Sequence, residues 1–507
     1  MTELPEGFGV ALDPSVRVYA GGTVLVGGDP VRVLRLTSAG VDAVAALGAG
    51  GRGSPAARRL GRRLVDAGLA HPRPPGPPGQ PDVTVVVPVR DRAASLDRCL
   101  RAVGGEVPVV VVDDGSTDPP AVAAVAARHG ARLLVRPVGG GPAAARGSAL
   151  PELTTELVAF LDSDCVPPPG WIAALAGHFG DPLVGAVAPR VRPAVVEGAA
   201  LARFLAARSP LDMGRREAAV GPMRAVPYVP TAALLVRRAA LGAGFDRRLR
   251  YGEDVDLVWR MADAGWRVRY QPAVVVRHLE PSSWGRLLAR RFRYGTSAAP
   301  LARRHPGRLA PVVLRPWPSA AAALLLAGRP ASGLAAVGVA GALLARRLRR
   351  AGAPAWLGPT GAAQAATQTL LGLGRAGTTL AGPALLLAAA SRGRARWPAV
   401  ALLAGPPLAE WWRRRPALDP VRWTAASVAD DLAYGAGVWW GCLVHRSAGP
   451  LLPLVRPRRS QRRAQQVARR AAPPADGAMN SRRSESLRGM TMATPSAGDQ
   501  ASGRNRY

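Results

Sequence analysis

The chain has 507 residues, which exceeds one ordinary domain and predicts about three. Hydrophobic residues make up 48% of it, and the formal net charge is +33 because 67 basic residues, all arginine, outnumber 34 acidic ones. Its three cysteines are far apart and lack metal-ligand spacing, which argues against a disulfide framework or a structural zinc site and fits a reducing compartment.

The charge distribution favours an anionic membrane surface over nucleic acid as a partner. Arginines cluster beside apolar stretches at 346–350 and 413–415, a pattern typical of the cytoplasmic side of a membrane. No nucleic-acid-binding module is recognisable and aromatic residues are only 5%, so we expect no nucleic-acid partner. The N-terminus lacks a signal peptide, and the predicted location is the cytoplasmic face of the cell membrane.

Residues 1–70 predict a small α+β domain. Two strands flank Gly21-Gly22, and a helix capped by Thr37 or Ser38 is followed by a second helix that ends at Gly68. A hairpin with short helices suggests a winged-helix-like fold, with a plain packing unit as the alternative. The Pro/Gly-rich residues 71–81 are predicted to be a linker.

The next region, residues 82–300, has the pattern of a parallel α/β sheet. Apolar runs alternate with helical stretches; the predicted strands are 83–89, 107–112, 132–135 and 157–161, and the predicted helices are 93–103 and 121–129. Strands that are apolar on both faces indicate a sheet covered on two sides. In such sheets ligands bind beyond the carboxyl ends of the strands.

Acidic residues follow two of these strands. Asp162-Ser163-Asp164 predicts a site for Mg²⁺ or Mn²⁺, which would neutralise a diphosphate; a solvated turn is the alternative. Asp113 and Asp114, in Asp113-Asp114-Gly115-Ser116, are candidates for hydrogen bonds to a nucleotide base or ribose, and an ordinary turn is again the alternative.

A third acidic cluster, Glu253-Asp254-Val255-Asp256, precedes an amphipathic helix. Acids at a helix N-terminus are often caps or dipole partners, which would explain one or two of them. A carboxylate at a pocket edge could instead be the general base for an acceptor hydroxyl, and Glu253 and Asp254 are the candidate catalytic residues.

Basic side chains near these acids are further candidates. Arg146 could reach a phosphate, with a surface arginine as the alternative reading. His278 follows a short predicted strand and is either a third metal ligand or a structural histidine. A helix over 290–295 could turn Arg293 towards a diphosphate and place Tyr294 near an acceptor, or it could face a membrane.

Residues 301–455 are rich in Ala, Leu and Gly. The stretch 319–345 is long enough to span a bilayer but is interrupted by Arg329, whereas 379–390, 397–409 and 432–444 are each too short. We expect membrane-associated hairpins or one to three imperfect transmembrane helices, with a soluble helical domain as the alternative. Residues 456–507 carry 12 arginines against three acids and predict a disordered basic tail.

Together these motifs resemble the family 2 glycosyltransferases, which share a GT-A fold. Five of them occur in the family's order: VVVPVRDR at 85–92, VVDDGS at 111–116, AARG at 144–147, FLDSD at 160–164 and GEDVDL at 252–257. The resemblance implies inverting transfer from a nucleotide-sugar donor that contacts Pro88, Asp91, Asp113, Asp114, Arg146, Asp162 and Arg293. It places the cation on Asp164, with Asp162 near the ribose, and makes Asp254 the base. The segment 290–295 resembles the QxxRW element of processive synthases but has Arg290 for Gln and Tyr294 for Trp.

A closer resemblance, to the mycofactocin-system glycosyltransferases, covers most of the chain. It includes LPEGFGV at the N-terminus and DDLAYGAGVWWGC at 430–442, and its N-terminal part is similar to PqqD-like peptide-recognition domains. It implies β-linked glucose transfer, from UDP-glucose, to a peptide-derived acceptor. Two alternatives are a membrane transferase for lipid-linked or cell-wall polysaccharide and a peptide-binding scaffold with a degenerate transferase domain.

Overall fold

The computed structural model describes residues 2–50, 53–76, 79–194 and 199–455. The predicted basic tail at 456–507 lies outside the described residues.

The N-terminal part of the chain contains two small sheets and two helices. Its elements are β1 (Gly9–Leu12), β2 (Arg17–Tyr19), β3 (Val24–Gly27), β4 (Arg32–Arg35), α1 (Ser38–Gly48), α2 (Pro55–Asp66) and β5 (Ala70–Arg73). β2 and β3 form the predicted hairpin, and the Thr37 side chain caps α1 by accepting from Gly40 N at 3.2 Å. β5 pairs with β1 and takes up the first three residues of the predicted linker, because Pro72 is tolerated in a strand at a sheet edge.

The central α/β region follows. Its elements are β6 (Val83–Val89), α3 (Ala93–Val103), β7 (Val109–Asp113), α4 (Pro119–Arg128), β8 (Arg132–Val135), α5 (Pro142–Ala149), β9 (Leu157–Leu161), β10 (Cys165–Val166), α6 (Trp171–Ala176), β11 (Val184–Pro193), α7 (Ala200–Arg208), β12 (Ala218–Val220), β13 (Ala233–Arg237), α8 (Glu253–Asp263) and β14 (Arg267–His278). Within the described residues these strands form one nine-stranded sheet in the order β10-β14-β11-β13-β9-β6-β7-β8, with β12 beside β14.

The sheet is mixed rather than wholly parallel as predicted. The four predicted strands β6, β7, β8 and β9 are parallel to one another, but β13 runs antiparallel between β9 and β11. Both faces are covered, since Val85 and Val87 pack in one apolar cluster with α3 and α4 while Val86 packs in another with α5 and α8. This two-sided burial explains why β6 is apolar at successive positions.

The C-terminal part is helical. Its elements are α9 (Trp284–Thr296), α10 (Ala298–Arg304), β15 (Val313–Leu314), α11 (Pro316–Leu326), α12 (Pro330–Arg350), α13 (Leu357–Ala390), α14 (Arg396–Arg414), α15 (Pro420–Val444) and β16 (Leu454–Val455). The apolar stretch 319–345 is broken next to Arg329, where the sequence shows its interruption: the chain turns at Gly328, with φ +72°, and the stretch is divided between α11 and α12. The stretches predicted as too short belong to the longer helices α13, α14 and α15.

By length and composition, two of the described helices, α12 and α13, could each cross a membrane. In the most apolar stretch of each, only 22% and 17% of the residues are buried within the protein. Their remaining surface is therefore free to contact an apolar environment.

Candidate active site

One side of the candidate site begins at the end of β7. Asp113 is fully buried, and its Oδ1 accepts from Ser116 N at 2.9 Å and Ser116 Oγ at 2.6 Å. Its Oδ2 has no hydrogen-bond partner among the described residues. An unpaired buried oxygen is energetically costly, so this one favours a ligand that donates a hydrogen bond to it.

Asp114 has a different role from Asp113. Its carboxylate pairs with Arg136 and accepts from the backbone N–H groups of Gly140 at 3.0 Å and Gly141 at 2.7 Å. Both oxygens are therefore occupied in holding the glycine-rich loop that leads into α5. The structure makes Asp114 a support for the loop.

Asp91 supports the loop after β7. Its Oδ1 accepts from Thr117 N at 2.7 Å and Thr117 Oγ1 at 2.8 Å, and these bonds lower the pKa of Asp91. Asp91, Pro88 and Asp162 line one cleft of about 600 Å³. Arg247 and Arg250 also line it; the sequence did not indicate either, because isolated arginines are common in this chain.

Arg146 links the turn after β9 to helix α8. Its Nη2 donates to Asp162 Oδ1 at 2.5 Å and its Nη1 donates to Glu253 Oε1 at 2.9 Å. Burial disfavours the charged guanidinium, but the two carboxylates more than compensate and raise its pKa. In this structure Arg146 is thus a buried bridge between carboxylates, although the sequence suggested a phosphate ligand.

The Asp162-Ser163-Asp164 turn follows β9, as predicted. Asp164 pairs with Arg92, and its Oδ1 lies 3.4 Å from His278 Nε2. Burial lowers the pKa of His278, but its acidic neighbours Glu280 and Asp164 outweigh this effect and raise it. His278 thus lies beside the predicted cation site as an ion-pair partner of Asp164.

The donor set of this turn suits a hard divalent cation. Two carboxylates lie in one tight turn beside the cleft, with side chains 28% exposed at Asp162 and 13% exposed at Asp164. No three His, Cys, Asp or Glu side chains converge in metal-ligand geometry in the part of the chain that is described. A cation held by Asp162 and Asp164 would therefore draw its other ligands from the donor diphosphate and water.

Glu253 and Asp254 begin helix α8, directly after Gly252 with φ +80°. Glu253 is buried and paired with Arg146, whereas Asp254 is half-buried and lines a pocket of about 400 Å³. Burial, and then the nearby Glu253, raise the pKa of Asp254 to about 7. Of these two acids, Asp254 is the one without a salt-bridge partner among the described residues, which leaves its carboxylate available to a molecule in this pocket.

Tyrosines and apolar groups surround Asp254. The pocket wall includes Tyr228, Tyr251, Tyr294 and, from helix α15, Tyr434. Asp162 lines both this pocket and the 600 Å³ cleft, so the two meet at the end of β9. The sequence did not indicate that α15 contributes Tyr434 to the pocket, because this residue is far along the chain from the other pocket residues.

The arginines of helix α9 have different surroundings. Arg290 pairs with Glu280, and Arg291 Nε lies 2.8 Å from Asp430 Oδ1 of α15. Arg293 has no salt-bridge partner among the described residues and lines a cleft with Asp162 and Asp164. The helix predicted at 290–295 is confirmed, and of the three arginines in that segment Arg293 is the one without a carboxylate partner among the described residues.

Comparison with known proteins places the chain in a family. A sequence profile described as "Glycosyltransferase like family 2" matches residues 80–297. The pre-mycofactocin glycosyltransferase of Mycobacterium tuberculosis (strain ATCC 25618 / H37Rv) is 40% identical over 475 residues, which cover 90% of this chain and 99% of that protein. The chain belongs to the family 2 glycosyltransferases. Within that family it groups with the pre-mycofactocin glycosyltransferase, and its α/β core has the GT-A fold.

More distant relatives cover less of this glycosyltransferase. An N-acetylglucosaminyltransferase of Sinorhizobium fredii (strain NBRC 101917 / NGR234) is 28% identical over 43% of this chain and 57% of its own length. Among solved structures, the mannosyltransferase PcManGT from Pyrobaculum calidifontis, in complex with GDP-Man and Mn²⁺, matches with a TM-score of 0.43. It is 23% identical and covers 72% of this chain and 89% of the mannosyltransferase.

Proposed function

We propose that this enzyme transfers glucose from UDP-glucose, with inversion, to a hydroxyl of the peptide-derived redox cofactor mycofactocin or its precursor. Repeated transfer would build a β-linked oligosaccharide. The similarity to the pre-mycofactocin glycosyltransferase over 90% of the chain supports the acceptor. The observation that carries the chemistry is Asp254, which faces a pocket shared with Asp162 and has a pKa of about 7.

Asp254 is the general base of the proposed reaction. Its carboxylate takes the proton of the acceptor hydroxyl while that oxygen attacks the anomeric carbon of the donor. The bond from the anomeric carbon to the diphosphate oxygen breaks, and UDP leaves with the bonding electron pair. One displacement from the opposite face needs one base and inverts the anomeric configuration.

The donor is held by groups on the other side of Asp162. Asp113 accepts a hydrogen bond from an N–H of the uracil ring through its unpaired Oδ2, and Arg247, Arg250 and Arg293 face the diphosphate. Asp162 and Asp164 would hold Mn²⁺ or Mg²⁺, which neutralises charge on the diphosphate leaving group. Arg146 holds Asp162 and Glu253 in position by donating a hydrogen bond to each carboxylate.

The remaining parts of the chain bring the acceptor and the membrane to this site. Residues 1–70 are the proposed PqqD-like peptide-recognition domain, joined through 71–81 to a catalytic domain at 82–300. Residues 301–455 associate with the cytoplasmic face of the membrane, since α12 and α13 are apolar, long and largely exposed. This arrangement brings a soluble acceptor to a membrane-associated enzyme.

The direct test is an assay of the purified protein with Mn²⁺ or Mg²⁺, UDP-glucose and a pre-mycofactocin acceptor, followed by mass spectrometry. We expect one or more added hexoses, which disappear when a chelator is present. Hexose transfer to a lipid-phosphate acceptor instead would replace the proposed acceptor with a lipid-linked one. Folded protein without transfer or metal-dependent UDP release would indicate a binding protein.

A further inference from the structure

A strongly basic cleft lies away from the catalytic pocket, between the end of β11, helix α7 and the C-terminal end of α14. Its volume is about 670 Å³. Among its described lining residues, six are arginine and one is acidic: Arg190, Arg192, Arg203, Arg215, Arg413, Arg414 and Asp212. The other lining residues are small or are prolines, so charge dominates the cleft.

The carboxylates in and near this cleft already pair with arginines. Asp212 accepts two bonds from Arg190, at 2.7 and 2.6 Å, and Arg414 Nε lies 2.9 Å from Glu410 Oε1. Four lining arginines have no carboxylate within salt-bridge distance in the described ranges: Arg192, Arg203, Arg215 and Arg413. The cleft therefore gathers positive charge that the described residues leave uncompensated.

The surroundings of Arg192 show that the uncompensated positive charge in the cleft is unfavourable. Its Nε is buried and has no hydrogen-bond partner among the described residues. Burial, and then the neighbouring Arg190 and Arg277, lower the pKa of Arg192. An anion in the cleft would satisfy this donor and relieve the repulsion, and phosphate oxygens suit the fork of an arginine.

The surroundings of the cleft point to a membrane lipid as the source of that phosphate. On α14, Leu408 and Trp412 are one turn apart and are 42% and 65% exposed; Trp412 precedes Arg413 in the chain, and the Arg415 guanidinium lies over its ring at 3.8 Å. Val421, at the start of α15, is 76% exposed. Exposed tryptophan beside arginine is typical of the headgroup level of a membrane, and α14 packs against the apolar helix α13.

We propose that this cleft binds the phosphate headgroup of an anionic membrane lipid. The site would fix the depth and orientation of the enzyme on the membrane. The proposal rests on the proposed membrane association and is independent of the sugar-transfer reaction.

Vesicle binding by the full chain tests the site. The probes are phosphatidylcholine vesicles with and without phosphatidylglycerol, and the variant is Arg203→Gln/Arg413→Gln, which changes two exposed residues. The matched control, Arg63→Gln/Arg98→Gln, removes the same charge from two exposed residues outside the cleft. We expect the cleft variant to lose about thirty-fold in affinity for the anionic vesicles, since each arginine near an anionic surface contributes about five-fold.

Three results would overturn the proposal: unchanged binding by the cleft variant, an equal loss in the control, or equal binding to both kinds of vesicle. A titration with inorganic phosphate, read as thermal stabilisation, separates the two sources of phosphate. Stabilisation of the wild type alone, without a difference on vesicles, would assign the cleft to a soluble phosphate instead. Melting temperatures should match among the three proteins, and sugar transfer in detergent should be unchanged in the cleft variant.

Discussion

Glu253 and Asp254 are adjacent in the chain, but their surroundings give them different chemistry. Glu253 forms an ion pair with Arg146 at 2.9 Å, whereas Asp254 has no salt-bridge partner among the described residues and accepts a hydrogen bond from Val255 N at 2.8 Å. Burial and the charge of Glu253 raise the pKa of Asp254 to about 7. A base with such a pKa is suited to proton transfer at neutral pH.

The pH dependence of the reaction follows from this pKa. Asp254 must be ionised to accept a proton, and its ionised fraction grows as pH rises through about 7. We expect kcat/KM to rise about tenfold per pH unit below that value and to level off above it, measured with saturating metal. A flat profile between acid and neutral pH, or a fall as pH rises, would contradict the role of Asp254.

Helices α9 and α15 illustrate a constraint at the scale of elements. Their backbones lie so close that a Cβ built on Gly437 would be 1.9 Å from Phe292 O, and one on Gly295 would be 2.1 Å from Tyr434 O. This contact holds Tyr434 in the wall of the Asp254 pocket. The glycines in GAGVWWG are thus explained by helix packing.

Gly437→Ala should separate the two helices. We expect the free energy of unfolding to fall by about 1–3 kcal/mol, the usual range for overpacking. We also expect a raised KM for the acceptor, because Tyr434 shifts. Thermal melting and steady-state kinetics measure both effects.

The control for this change is Gly405→Ala in α14, where an added Cβ meets no atom within 4 Å. That variant should be neutral or more stable by about 0.5–1 kcal/mol, because alanine is the better helix former. Equal melting temperatures for the two variants would show that close packing at Gly437 does not matter.

The arrangement of elements was predictable where local pattern decides it. Strand β9 and helix α3 have the bounds that apolar runs and helical periodicity gave, and the acids after β7 and β9 were found because ligands bind beyond strand ends. Strand β13 was not predicted, and its antiparallel direction could not be, because that direction depends on pairing with β9 and β11. Tyr434 was missed because it reaches the site only through helix packing.

At the scale of the whole molecule, buried ion pairs join the N-terminal part to the catalytic region. Arg62 of α2 donates to both oxygens of Asp181, at 2.6 and 2.9 Å, and both residues are buried. Near the same interface, Glu217 pairs with Arg73 and Arg269. These contacts fix the N-terminal part against the sheet that carries the active site.

Arg62→Met should destabilise the protein strongly. It leaves Asp181 buried without its cation, a change that typically costs about 3–5 kcal/mol. The exposed neighbour Arg63→Met is the control and should change stability by less than about 0.5 kcal/mol. If both variants melt at the same temperature, the ion pair does not hold the two parts together.

The role of Asp254 as general base is tested most directly by comparing donor binding and transfer in Asp254→Asn. We predict that UDP-glucose binding stays within about twofold, because Asp162, Asp164 and Asp113 are unchanged, while transfer falls by about 10²–10⁴-fold. Since burial disfavours the charged carboxylate, the amide should melt no lower than the wild type at pH 8. Retained transfer in a folded Asp254→Asn protein would contradict the assignment of Asp254 as the base.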